Sequence, residues 1–391
     1  MDAKSLKVHI VGGGVSGLVA AQVLEKHGLI PIIIEATDRV GGRLKTDIID
    51  GFQLDRGFQV LLSSYSAAKK YLDYKALDLQ KLKAGSCIFI NGKQKFFGDP
   101  LRDFTLFFPT LFSGIGNMSD KIKIAKLNFS LQKKTIAEIF EGDEITTKQY
   151  LDNLGFSKNI IQKFFLPFFS GIFLENSLKT PSRMFEFVFK MFGEGLGVLP
   201  KGGIEDISKQ LKEKLQSTEI HYNTLVSKVK NKVITLSNGK KIESHYVIIA
   251  AEPSSLVENL KNQQIDWKSC ENLYFTCANR VYDKAFIGLI ANKKSLINNI
   301  FYPTSLKTIH RGKRDLISVT VVKEHGLSEK DLINQVKIEL KKECKIEDAH
   351  FLKLYNIPKA LPDINNLQYE IFPSETKLKD GVFLAGDVLL N

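Results

Sequence analysis

VHIVGGGVSGLVAAQVLEKHGLIPIIIEATDRVGGR, residues 8–43, is the stretch whose reading decides the fold. Leu6 to Val11 is a short apolar run rich in β-branched residues, and it reads as a buried strand. Gly12-Gly13-Gly14 makes the turn, Val15 to His27 a helix, and Ile30 to Glu35 a second buried strand. Strand, turn, helix and strand within ~30 residues form a βαβ unit, with parallel strands and a right-handed crossover. Such a unit opens a doubly wound sheet.

The same stretch holds the candidate chemistry. Gly12, Gly14 and Gly17 satisfy G-x-G-x-x-G in the context that gives the pattern meaning. The first glycine permits the tight turn, the second lets backbone approach a pyrophosphate, and the third lets helix and strand pack closely. Val15 and Ser16 begin the helix, where free amides and the helix dipole favour a phosphate. Glu35 closes the second strand 21 residues after Gly14 and can accept hydrogen bonds from both ribose hydroxyls of an adenosine, with Ala36 beside it. A 2′-phosphate would be repelled there, which disfavours NADP. A packing turn and a solvated strand-end glutamate are the bland alternatives.

Gly41-Gly42-Arg43 is an additional feature. Its glycines can curl successive amides into an anion nest, and Arg43 supplies a fork of donors. A second anion-binding element so near the adenosine position fits a cofactor with a long pyrophosphate bridge, FAD rather than NAD. An ordinary Gly-Gly turn beside a surface arginine is the plain alternative.

The bulk numbers set limits. With 391 residues, 43% hydrophobic and 25% charged, the chain exceeds what one core usually organises, so two intertwined domains are expected. The net charge of +12 comes mostly from dispersed lysines without the arginine and aromatic interleaving of a nucleic-acid groove, so no nucleic-acid partner is expected. Such a surface is attracted to anionic membranes by about 1 kcal/mol per nearby lysine. Cys87, Cys270, Cys277 and Cys344 form no CxxC pair, and the seven histidines no HxxxH motif, so the expectation is a reduced, cytoplasmic, metal-free protein. The N-terminus enters a strand almost at once without a cleavage site, and no run of some 18 apolar residues spans a membrane.

From about Asp99 to Gly197 the texture becomes phenylalanine-rich and helical, as in DKIKIAKLNFSLQ and KNIIQKFFLPFFSGIF, with Pro167 expected to interrupt the latter. Between Gly202 and Pro253 the α/β texture returns: a helix at EDISKQLKEKLQ, a hairpin around Asn238-Gly239 and a buried strand at HYVIIAA. Beyond lie strand candidates LYFTCA, AFIGLIA and DLISVTVV, and a helix after Ser328 with Asp331 at capping-box spacing. GVFLAGDVLLN reads as a last buried strand ending in Gly386-Asp387.

The combined motif from the first strand to E-A-x-x-R-x-G-G-R resembles the FAD-binding signature of the flavin amine oxidase superfamily, which includes protoporphyrinogen oxidases and phytoene desaturase-like enzymes. Weaker resemblance continues at DGFQLDRGFQVLLSSY, LPKGGIEDISKQL, HYNTLVSKV and GVFLAGD, and FFLPFFSGIFLENSL is similar to phytoene desaturase-like oxidoreductases. The resemblance implies an α/β fold: a Rossmann-like, doubly wound, glutathione-reductase-like FAD-binding domain interleaved with an α+β substrate domain. The boundaries expected are 1–62, 198–256 and 368–391 for the first, and 63–197 and 257–367 for the second. It implies that Glu35 holds the adenosine ribose, and the first glycine loop with Gly41, Gly42 and Arg43 the pyrophosphate region. Gly57, Phe58, Gln59 and Val60 match the segment beside the isoalloxazine, Val226 the position whose backbone meets the adenine, and Gly386 and Asp387 the terminal motif at the ribityl and pyrophosphate. Val226 reads equally well as a half-buried strand residue.

In the family a small-residue helix start follows the terminal glycine-aspartate, whereas here the chain stops at Asn391, so truncation is the expectation. No cysteine or histidine matches a covalent flavin attachment, so FAD is expected to be noncovalent. The reaction implied is oxidation of a C–N or C–C bond of a small molecule, with the flavin doing the chemistry. Twenty-seven phenylalanines against one tryptophan favour an apolar substrate if some of them line its chamber, although a cluster such as Phe164, Phe165, Phe168, Phe169 and Phe173 also reads as core. Beside Lys95, Arg102 and Lys121, the aromatic segments also fit peripheral contact with a membrane. A nicotinamide-linked dehydrogenase and a noncatalytic flavin-binding protein are the alternatives. No catalytic side chain, electron acceptor or oligomeric state is legible.

Overall fold

A computed structural model describes residues 5–257, 265–363, 371–372 and 374–390. Strand β1 (Val8–Val11), helix α1 (Val15–Lys26) and strand β2 (Pro31–Ile34) form the βαβ unit, with β1 and β2 parallel in the register Val8 to Pro31 and Val11 to Ile34. On its other side β1 pairs in parallel with Tyr246–Ile249. The complete sheet runs Glu219–His221, β2, β1, Tyr246–Ile249, Val382–Leu384, Lys377–Lys379; the first five strands are parallel and the last is antiparallel. Three separated stretches of chain therefore build one sheet.

Both faces of that sheet are covered, which is why its central strands are continuously apolar instead of alternating. On one face α1 and the helix Glu205–Glu213 bring Leu18, Ala21, Ile207 and Leu211 against Ile10 and Ile33. On the other, the antiparallel strands Val226–Lys230, Val233–Leu236 and Lys241–Glu243 bring Val229 and Ile234 against Val11, Ile34, Val247 and Ile249. The chain runs from β1 outward to one side through β2 and Glu219–His221, and returns on the other side of β1 at Tyr246–Ile249. Strand order reverses there, and the crevice beyond the carboxyl ends of such strands is where ligands bind in open α/β sheets.

The second sheet has seven strands, in the order His350–Pro362, Trp267–Cys277, Asp315–Val321, Ile297–Phe301, Ile287–Ile290, Gly85–Ile90, Lys93–Gly98. Neighbours are antiparallel except the parallel pair Ile287–Ile290 and Gly85–Ile90. The helix Glu329–Cys344 packs Leu332, Val336 and Leu340 onto one face. At its start the Ser328 hydroxyl accepts from the Asp331 amide (3.2 Å) and donates to the Asp331 carboxylate (2.6 Å). A three-stranded sheet of Leu61–Leu62, Gly197–Leu199 and Gln80–Lys81 lies across the boundaries expected near residues 62 and 197.

Two expectations fail locally. Pro167 does not interrupt its helix: Lys158–Ile160 is α-helical, Ile161–Phe165 forms a π turn, and Leu166–Phe173 continues as α-helix. A proline ring crowds the carbonyl four residues back, here on Lys163, and the wider turn just upstream relieves that contact. Burial of Phe165, Phe169, Phe173 and Phe185 in one core holds the helix together through the proline, so these rings are packing residues and not chamber walls. The last strand is also shorter than expected: Val382–Leu384 ends before Gly386 (φ +116°), and Asp387–Leu390 forms a 3-10 turn. Asn391 lies outside the described residues, as do 368–370 and Pro373 within the last expected segment.

Candidate functional site

The first glycine turn is shaped by three contacts. Gly12 donates to the Ile34 carbonyl (2.9 Å) and takes φ +106°; a Cβ there would lie 2.8 Å from the Ala250 oxygen. A Cβ on Gly17 would stand 2.0 Å from the Gly12 oxygen, so helix and turn touch through backbone. Gly14, by contrast, has φ −73°, and its nearest neighbour to an added Cβ is the Gly42 Cα at 3.9 Å. The space over Gly14 is open, and α1 begins there with no capping side chain and no acid in its first turn. The amides of Val15 and Ser16 are thus available to an anion.

The second glycine pair is docked directly on the first. The Gly41 amide donates to the Gly13 carbonyl (2.9 Å), Gly14 and Gly41 form an isolated bridge, and a Cβ on Gly42 would come within 3.3 Å of the Gly14 Cα. Gly41 and Gly42 have φ of +124° and +58°, conformations that side chains resist. Two motifs that are separate in sequence form one continuous strip of bare backbone.

Glu35 is 6% exposed at the end of β2. One carboxylate oxygen accepts from the Gly13 amide (2.7 Å), the other from the Thr37 amide (2.9 Å) and hydroxyl (2.6 Å). A carboxylate has about four lone-pair sites, so it retains acceptor capacity for a ribose hydroxyl. Ala36 beside it is exposed. The Asn223 and Thr224 amides donate to the carbonyls of Thr37 and Glu35 (2.9 Å each), which brings the buried Val226 to the Glu35 end of the crevice.

At the opposite end, Arg43 donates to the Asp387 carboxylate (2.6 Å) and to the Ala360 carbonyl (3.0 Å), with its guanidinium 5.7 Å from the centre of the Trp267 ring. Gly386 precedes this pair, and a Cβ on it would lie 3.1 Å from the Ser16 hydroxyl. The terminal motif therefore closes over the start of α1. The Gln59 amide donates to the Arg43 carbonyl (3.0 Å), tying the segment Gly57 to Val60 to the same strip. Gly57 has φ +95° and crowds Ile357, Phe58 packs on Phe301 (5.1 Å between ring centres), and Val60 lies over Gly197.

Sequence reasoning passed over several residues that hold this arrangement. Arg39 donates to Glu205 (2.9 Å) and Asp47 (2.7 Å), Arg56 to Asp47 (2.8 Å), and the Tyr355 hydroxyl to Asp47 (2.8 Å). Burial would raise the Asp47 carboxyl, but hydrogen bonds from Arg56, Tyr355 and Arg39 outweigh it and hold the group at about 2. This network fixes the hairpin Thr46–Ile49 and Phe52–Asp55 to the helix Glu205–Glu213. Lys45 donates to the Thr37 hydroxyl (2.8 Å) and so backs Glu35. Arg39 stands in the E-A-x-x-R-x-G-G-R motif, but its partners Asp47 and Glu205, and Arg56 and Tyr355 beyond them, have no spacing from the glycines that a sequence pattern could expose.

Beside Gly57 and Phe58 lies a narrow cavity that also reaches Asp55, Tyr274, Phe301 and Ser318. Asp55 accepts from the Thr46 hydroxyl (2.6 Å) and the Ile204 amide (2.9 Å), while burial, against those bonds, raises its carboxyl to about 6. Among the described residues no group of three His, Cys, Asp or Glu is placed to hold a metal ion. No helix among them is long and apolar enough to cross a membrane.

The strip at Gly12–Gly14 and Gly41–Gly42 is a cradle that side chains would fill, with a buried carboxylate at one end and an arginine at the other. That donor set fits a dinucleotide gripped from two sides, and beside it the fold carries a second, mixed sheet. The chain belongs to the family described as flavin containing amine oxidoreductase, whose profile matches residues 15–387. It is 56% identical over 39 residues to an amine oxidase [flavin-containing] of Oncorhynchus mykiss, covering 10% of this chain and 8% of that protein. It is 41% identical over 69 residues to hydroxysqualene dehydroxylase of Rhodopseudomonas palustris, covering 17% of this chain and 16% of that one. These curated relatives are matched over less than a fifth of their own length. The fold is shared much more widely: an oxidoreductase structure from Methanosarcina mazei superposes with a TM-score of 0.73 at 16% identity, over 98% of this chain and 94% of that chain.

Proposed function

We propose that the protein binds FAD noncovalently in the crevice at the carboxyl ends of β1, β2 and Tyr246–Ile249, and oxidises a C–N or C–C bond of an apolar small molecule. The observation that carries this reading is the docking of the second glycine pair on the first, Gly41 amide to Gly13 carbonyl at 2.9 Å, with Arg43 and Asp387 closing the far end. In it Glu35 and Ala36 receive the adenosine ribose and Val226 the adenine. Gly12, Gly14, Val15, Ser16, Gly17, Gly41, Gly42 and Arg43 hold the pyrophosphate region. Gly386 and Asp387 meet the ribityl side, and Gly57, Phe58, Gln59 and Val60 flank the ring.

FAD held there would supply the acceptor for a hydride, two electrons with a proton, from the substrate; the chain's own contribution is to hold and orient. Phe58 and Phe301 give the cavity beside Gly57 an apolar wall, while Tyr274, Ser318 and Asp55 offer polar contacts. An isoprenoid or polyene substrate is favoured by the hydroxysqualene dehydroxylase relative and by that wall; the amine oxidase relative supports an amine. The test is anaerobic: FAD-loaded protein is mixed with isoprenoids, polyenes and amines, and loss of flavin absorbance is followed. Bleaching by an isoprenoid or polyene supports the reading, bleaching by amines alone redirects it to C–N oxidation of a polar substrate, and failure to bind flavin overturns it.

A further inference from the structure

The helical region carries an apolar surface that its own fold leaves open. Phe104 is 77%, Phe108 62% and Phe112 73% exposed, and their rings form a ladder with Phe107: 104 on 107 at 5.9 Å, 107 on 108 at 5.2 Å, 108 on 112 at 6.4 Å. The next helix, Met118–Lys133, buries Leu127 and Leu131 inward yet also turns Met118, Ile122 and Phe129 outward, at positions that share one helical face. The Lys121 ammonium donates to the Leu111 carbonyl (2.7 Å), joining this helix to the segment that carries the phenylalanine ladder. Exposed apolar side chains occur singly on most proteins, but a contiguous run of this kind marks a docking surface.

Charge identifies the partner. Between residues 101 and 134 there are six cationic side chains, Arg102, Lys121, Lys123, Lys126, Lys133 and Lys134, against two carboxylates, and among the described residues only Lys134 of the six is paired with an acid outside the segment, Glu186 (3.1 Å). Asp103 is paired with Lys83 (3.0 Å), and Asp120 is buried, accepting from Ser157 and the Asn117 amide. Lys126 is exposed on the outward face, and Lys133 lies 4.2 Å from the centre of the Phe129 ring. An aromatic and aliphatic face rimmed by lysines is the composition that settles into the headgroup layer of an anionic bilayer. A second copy of this chain would bring the same cations into opposition across a symmetric contact, in a molecule already carrying +12.

We infer that this face, from Phe104 to Phe129, docks the protein peripherally on an anionic lipid bilayer. The face is rooted near the candidate site. Arg102 donates to the carbonyls of Phe192 and Gly195, the Ser63 amide donates to the Leu196 carbonyl (2.9 Å), and Gly197 lies against Val60. Docking does not depend on the reaction proposed above, since it is read without turnover.

The test uses the full FAD-loaded chain with phosphatidylcholine vesicles, with and without phosphatidylserine, in a co-sedimentation assay. Binding to the anionic vesicles is expected, weakened by salt and by roughly fivefold for each of Lys126→Gln and Lys133→Gln. Phe108→Ser with Phe112→Ser is expected to lower it at least about tenfold. Because an altered patch could disturb folding, a second measurement places a polarity-sensitive dye on Phe112→Cys, which should shift to the blue with anionic vesicles only. Absence of binding overturns the inference, as does equal, salt-independent binding to neutral vesicles or binding untouched by the phenylalanine changes. Self-association in ultracentrifugation that disappears in the double variant, without vesicle binding, overturns it in favour of a second copy.

Discussion

Arg43 and Asp387, 344 positions apart in the chain, form an ion pair at 2.6 Å that closes the glycine strip at the end opposite Glu35. Both side chains are partly exposed, at 45% and 34%, so the pair itself adds no more than ~1 kcal/mol to stability. Its value lies in placing a forked donor where a pyrophosphate would run. Arg43→Ala should therefore leave the thermal midpoint of the FAD-free protein nearly unchanged and weaken FAD binding by about 10- to 100-fold, from the loss of charge-assisted hydrogen bonds. Arg43→Lys should recover only part of that affinity because the fork is lost. Flavin titration beside a melting curve checks both; a large loss of stability with unchanged affinity would show that the pair is structural.

The glycines separate packing from binding. An added Cβ on Gly17 meets the Gly12 oxygen at 2.0 Å, so Gly17→Ala must push backbone apart and should destabilise the fold by several kcal/mol, about the upper range of overpacking. Gly14 has room and an ordinary φ, so Gly14→Ala should fold with near-native stability while losing flavin, because the methyl occupies the phosphate approach. Calorimetry and the flavin content of the two purified variants test the contrast. Full flavin occupancy in Gly14→Ala would refute the assignment of this turn.

Glu35 serves two purposes that different substitutions pull apart. Its oxygens satisfy the Gly13 amide and Thr37, so Glu35→Ala leaves the buried Gly13 donor unpaired, at a cost of roughly 1–3 kcal/mol. Glu35→Gln keeps one acceptor oxygen and should be milder in stability while still weakening a cofactor that carries a ribose. Riboflavin lacks the adenosine, and its binding should not respond to Glu35→Gln; an equal effect on FAD and riboflavin would count against the ribose contact.

Asp55 sets a pH dependence. Burial lifts its carboxyl above the ordinary 3.8 to about 6, so the protonated form stabilises the fold fully below pH ~4, and that contribution is lost as pH rises through about 6. Asparagine retains the oxygen that accepts from Thr46 and Ile204. Between pH 4 and 7 the wild-type protein should lose up to roughly 3 kcal/mol relative to Asp55→Asn. Melting both proteins across that range gives the answer, and parallel curves would mean that Asp55 titrates normally.

Noncovalent attachment is checked most directly. Acid precipitation of the FAD-loaded protein should leave all of the flavin in the supernatant, and yellow colour remaining in the washed pellet would indicate a covalent bond.

The sequence by itself determined the βαβ unit, the two glycine turns and the acid that closes β2, because each depends on neighbours within a few dozen residues. Periodicity marks the buried strands, and only glycine tolerates the backbone angles seen at Gly12, Gly41 and Gly42. What only the tertiary structure decided is long-range. Arg39 answers to Glu205, Arg43 to Asp387 and Trp267, and Asp55 to Ile204, contacts with no local signature in the chain. Pro167 is passed because the cores on both sides of it outweigh a local helix-breaking preference. The phenylalanines show the same division: composition counts them, but which are core, such as Phe165 and Phe169, and which face outward, such as Phe104 and Phe112, depends on what the folded chain places against each ring.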